Sequence, residues 1–121
     1  MNLQQIFDTG VRGVLAQGVP STATNGSCRY RQHLRADNPV RCAIGHCIPD
    51  ERYDADMEFD SLAVIKNKLG WDESVDPDAL YDFQKCHDRA STSAWPFVED
   101  FRNRCRVFAE GHNLNTEVLD G

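Results

Sequence analysis

No apolar run in these 121 residues approaches the roughly 18 that a membrane-spanning helix needs, so no membrane is expected among the partners. The opening MNLQQIFDTGVRG lacks the basic region and continuous apolar stretch of a signal peptide, so export is not expected. No C-x-x-C pair occurs, although there are five cysteines, Cys28, Cys42, Cys47, Cys86 and Cys105. An odd count without an export signal predicts reduced thiols packed as small apolar groups, not a disulfide framework. An excess of basic charge is also missing. The formal net charge is −6, which argues against direct binding to nucleic acid. There is no internal repeat and no low-complexity tract.

What is present is ordinary for one globular domain spanning residues 1–121: 40% hydrophobic and 26% charged residues, enough for a real core. The charge is distributed unevenly. Residues 1–49 carry a balance of +3, residues 50–82 one of −8, and residues 83–121 one of −1. An acidic centre of that kind suits a basic partner.

Periodicity predicts a mainly α fold with a small β-hairpin (α+β), about four helices packed on one hairpin. Leu3, Ile6, Phe7, Val11, Val14 and Leu15 recur at helical spacing over 3–17, with Asn2 as cap and Gly18 as stop. A short helix over 61–69 takes Asp60 as its cap and ends at Gly70. Asp76-Pro77-Asp78 starts a third helix with Ala79, Leu80, Phe83, Cys86, His87 and Ala90 inward. A fourth begins near Ser93 and stops at Gly111, lined by Phe97, Val98, Phe101, Cys105 and Phe108. Residues 112–121 read as a loose polar tail. The one β signal is alternation in 28–31 and 40–44 around a turn at 36–39. It sends Cys28, Tyr30, Val40, Cys42 and Ile44 inward and leaves Arg29, Arg31 and Arg41 together on the other face, with Ala43 beside them.

Four constellations could carry chemistry. Cys28, Cys42, His46, Cys47, Cys86 and His87 are the ligand types zinc prefers, but four residues separate Cys42 from Cys47 and the spacing matches no zinc knuckle, so no metal site is assigned. Cys47, His87 and Asp88 could make a nucleophilic triad, but adjacent helical residues point apart and Pro49 follows Cys47 closely, so no catalytic residue and no cofactor are assigned. Arg29, Arg31 and Arg41 repel one another unless a carboxylate or anion neutralises them. Either the chain's own 50–60 stretch does so, or a phosphate or acidic partner does. Asp50, Glu51, Asp54, Asp56, Glu58 and Asp60 crowd eleven positions. Met57 and Phe59 fall between them and no glycine is present, unlike a calcium loop. These acids are either a solvated edge or a surface for a basic partner. The binding residues expected are therefore Asp50, Glu51, Asp54, Asp56, Glu58, Arg29, Arg31 and Arg41.

Read together, Cys28-Arg29-Tyr30-Arg31, Cys42-Ala43-Ile44-Gly45, Ile48-Pro49-Asp50-Glu51 with Tyr53, Met57-Glu58, and Gln84 with His87-Asp88 resemble a family of small uncharacterised proteins encoded by bacterial phages and prophages. The similarity spans roughly residues 3–114. It implies a setting, the cytoplasm of the host bacterium, and names no reaction. By analogy with small acidic phage proteins, the expectation is a phage accessory protein that binds a host protein or complex through charged surfaces without catalysis. An inhibitor of a host defence system, anti-CRISPR-like, is one form of it. The alternative is a small enzyme, or a ligand- or zinc-binding domain, centred on the Cys/His/Arg region.

Overall fold

The Asn2 side chain accepts from the Gln5 amide while the Gln5 side chain accepts from the Asn2 amide, both at 2.8 Å. This reciprocal cap starts helix α1, Leu3–Gln17. Gly18 ends it in the left-handed region at φ 76°, with its N–H on the Val14 carbonyl. The computed structural model describes residues 1–22, 29–32 and 40–120. Cys28 and the turn expected at 36–39 lie outside the described residues.

After α1 come two short antiparallel strands, β1 (Arg31–Gln32) and β2 (Val40–Arg41), with Arg31 opposite Arg41 and Gln32 opposite Val40. A 3-10 turn at Gly45–Cys47 and another at Ala55–Phe59 lead to α2 (Leu62–Leu69), α3 (Pro77–Ser91) and α4 (Phe97–Gly111). A last 3-10 turn covers Glu117–Asp120. The mainly α fold with a small hairpin is the observed one. Among the described residues, no helix is long and apolar enough to cross a membrane.

Three rings hold the helices together. Phe7 of α1, Phe83 of α3 and Phe108 of α4 stand 5.4–6.0 Å apart, centroid to centroid. The inward face expected of α3 is buried throughout, and Gln84 joins it.

Four expectations are corrected. Ser61, not Asp60, caps α2, because the Asp60 amide closes the preceding 3-10 turn on the Met57 carbonyl and its carboxylate takes the Lys68 ammonium at 2.6 Å. Helix α4 starts at Phe97, not near Ser93, since a residue before proline is driven from helical ψ and Trp95 precedes Pro96. The tail is docked: Leu119 is fully buried, Arg102 donates to its carbonyl, and Gln4 exchanges two hydrogen bonds with the Asn115 backbone. The expected β alternation is not realised: Arg31, expected outward, is buried, Val40 and Arg41 are both half-buried, and Cys42, Ala43, Ile44 and Gly45 are all buried in a turn. There the Ile44 amide bonds the Gln84 side chain at 3.0 Å instead of a ladder partner.

Candidate functional site

Arg31 and Arg41 face each other across the hairpin, and like charges so placed need a counter-charge. Asp50 supplies it. One carboxylate oxygen takes the Nη2 of Arg31 at 2.9 Å and of Arg41 at 2.7 Å. Arg31 is only 8% exposed, lies 4.2 Å over the Tyr53 ring, and also donates to the Ile48 carbonyl. Of the two readings of the arginine face, internal pairing is therefore realised for Arg31 and Arg41. Arg29 is exposed, and its guanidinium holds no ion pair among the described residues.

Glu58 is also committed inward. It accepts from the Tyr30 amide at 3.0 Å, the Arg31 amide at 3.1 Å and the Tyr53 hydroxyl at 2.7 Å, clamping two consecutive amides at the start of β1. Burial and this bond to Glu58 push the Tyr53 phenol up to about 12. The segments 29–31, 48–53 and 57–58, far apart in sequence, thus form one knot.

The remaining expected residues face water. Glu51, Asp54 and Asp56 are exposed, and Asp54 caps the Ala55–Phe59 turn by accepting from the Asp56 amide at 2.7 Å. Buried Met57 pins that turn to the core. Phe59, beside it, is 90% exposed. Sequence reasoning read Phe59 only as an obstacle to calcium binding. Its missed signal was a large apolar residue flanked by acids on both sides.

The Cys/His region is built for packing. His87 is fully buried. Its Nε2 accepts from the Ser21 amide at 3.0 Å, so Nδ1 carries the proton it donates to Asp88 Oδ1 at 2.9 Å. His87 and Asp88 therefore do pair, contrary to the expectation from helical geometry, because the carboxylate reaches sideways to its neighbour's ring. Gln84 donates to the same Oδ1 at 2.8 Å. Cys47 points elsewhere, toward the Ile6 and Ala43 carbonyls, and burial pushes its thiol up to about 12. Burial likewise drives the Cys42 and Cys105 thiols upward. A thiol held protonated is a poor nucleophile and a poor metal ligand. Among the described residues, no three His, Cys, Asp or Glu side chains stand together as a metal would require.

His46 gives the region a pH dependence. Its Nε2 meets Gln17 Oε1 at 3.1 Å, and burial, then the nearby Arg41 and Arg31 charges, lower its pKa to about 4. Between about 4 and the ordinary value near 6.5, the unfolded chain binds up to one proton more than the folded one. This contribution is full above pH 6.5 and is lost as the pH falls toward 4. Denaturant melts across that window should show it, and His46→Gln should remove it.

Behind the knot lies a cleft of about 440 Å³ between α2, α3 and the residues that lead into β1. Arg29, Tyr30, Cys42, Glu58, Gln84 and Asp88, all drawn from the motif segments, form six of its eleven lining residues. Compared with protein-family models, with curated proteins and with solved structures, the chain matches none.

Proposed function

We propose that this chain is a non-catalytic protein-binding module whose contact surface is the acidic turn around Phe59. The observation that carries the reading is the 90% exposure of Phe59 on a turn that is otherwise anchored, by Met57 below and Glu58 beside it. An aromatic ring presented on a fixed support is the usual anchor of an interface, because little conformational freedom is left to lose on binding. Glu51, Asp54 and Asp56 stand exposed near it in the chain, so the partner surface is basic around an apolar pocket. The phage-like motifs supply the setting: a host bacterial cytoplasm, with a host protein or complex as partner and a defence system as the process blocked. Catalysis has less support, since burial holds the Cys42 and Cys47 thiols protonated and both nitrogens of His87 are already engaged.

Capture from host-cell extract tests the reading. The parent chain should retain a basic host protein, and Phe59→Ala should lose it with an unchanged melting temperature. A capture that is indifferent to Phe59→Ala would contradict the proposal.

A further inference from the structure

The cleft behind the acidic turn is not used by Phe59, yet Glu58 belongs to both. Its walls are the rings of Tyr30 and Tyr81, with Leu62 and Pro77 among the apolar lining. Its charged groups are Glu58, Asp88 and Arg29, a formal balance of −1. Lys85 lies outside the cleft, its ammonium 4.2 Å from the Tyr81 centroid, and pairs loosely with Asp82 at 3.8 Å. Asp88 Oδ1 accepts from both His87 and Gln84, whereas Oδ2 has no partner among the described residues. Asp88 thus pairs with no Lys or Arg among the described residues, although it is a carboxylate held in place by two hydrogen bonds.

We infer that this cleft receives one basic side chain, lysine or arginine, of the protein partner. The inference rests on the proposed binding reading and names the chemistry of its second contact. Such a side chain is an apolar stem with a cationic head. The stem suits the tyrosine rings and Leu62, and the head suits Asp88 Oδ2 and the remaining acceptor capacity of Glu58. The cleft and the turn then read one continuous basic surface, with Phe59 filling a pocket in the partner and the partner's cation filling a pocket here. Arg29 opposes the cation and tunes the affinity downward.

The probes are N-acetyl-arginine methylamide, N-acetyl-lysine methylamide and, as anionic control, N-acetyl-glutamate methylamide, titrated into the full chain by amide NMR. The basic probes should shift the amides of Leu62, Ala63 and Gln84. Asp88→Asn keeps an Oδ1 acceptor for His87 and Gln84 while removing the charge. It should weaken binding by about tenfold or more, the worth of a charge-assisted hydrogen bond, and lower the melting temperature only modestly, as the His87 and Gln84 bonds persist in neutral form, so that the variant is still folded when probed. Arg29→Gln should tighten it. Basic probes that leave those amides unmoved, that bind Asp88→Asn equally well, or that are outdone by the anionic control would overturn the inference. Phe59→Ala separates this inference from the reading beneath it. Probe binding that survives while capture is indifferent to Phe59→Ala sinks the reading alone, and Phe59-dependent capture without probe binding sinks the cleft alone.

Discussion

Phe83→Ala should lower stability by about 3–5 kcal/mol, and the melting temperature by on the order of 10–20 °C. The ring is fully buried and touches Phe7 and Phe108, at 5.5 and 5.4 Å between centroids, so it joins α1, α3 and α4 at one point. Repacking cannot readily close the gap. Gly10 already approaches so closely that a Cβ there would lie 2.8 Å from the Phe83 ring and 2.7 Å from the Ala43 carbonyl. The backbone of α1 is therefore held off by the 42–45 turn as well as by the ring, and truncation leaves a cavity rather than a collapse. Thermal melts of parent and variant decide the matter. A variant that melts within a degree or two of the parent would mean that the three-ring contact does not join the helices.

Gly45→Ala should be comparably damaging, for a reason of space and not of backbone freedom. Gly45 is not among the positive-φ glycines, which are Gly18 and Gly70 in the described residues. An added Cβ would fall 1.8 Å from the Tyr30 carbonyl oxygen and 2.7 Å from its carbon, well inside van der Waals contact. Tyr30 cannot yield cheaply. Its carbonyl accepts from the Cys42 amide at 3.3 Å, and its own amide is held by Glu58. One methyl group must therefore push β1 off the 42–45 turn and pull Glu58 away from the start of the strand. Overpacking of this kind costs about 1–3 kcal/mol and more where backbone blocks the way. Amide exchange at Tyr30 and Arg31 should accelerate along with the drop in melting temperature. Parental stability with parental exchange would show that the turn and strand are not locked together.

The helices were legible because their signals are local. Asn2 with Gly18, and Asp76 with Pro77, sit within a few residues of the backbone groups they satisfy, and the inward faces of α1 and α3 repeat at 3.6 residues. Start positions failed where two local signals competed. Asp60 was spent closing a 3-10 turn, so Ser61 became the cap, and Pro96 delayed α4. The apolar residues of the tail, Leu114, Val118 and Leu119, carried the signal for its docking, but their spacing is too irregular to read as a helix.

The candidate site was legible as a set of residue types and not as roles. Asp50 and Glu58 looked like members of a solvated acidic edge. One bridges Arg31 and Arg41 and the other clamps the start of β1, contacts between 9 and 28 residues away along the chain. Gln84, which satisfies Ile44 from 40 residues away, and Tyr53, which underlies Arg31, had no local periodicity to betray them. The division this creates was invisible in the sequence. Glu58 holds the fold, while Glu51 and Asp56 hold no hydrogen bond or ion pair through their side chains among the described residues.

That division makes the central claim directly measurable. With the partner captured by the parent chain, its affinity is compared between the parent and a Glu51→Lys/Asp56→Lys variant, at low and at physiological salt. Exposed charges of this kind contribute about 0–1 kcal/mol to folding, so the melting temperature should stay where it was. Affinity should collapse in the variant, and in the parent it should fall steeply as salt screens the surface. An unchanged affinity in the double variant at both salt concentrations would contradict the assignment of the acidic turn as the contact surface.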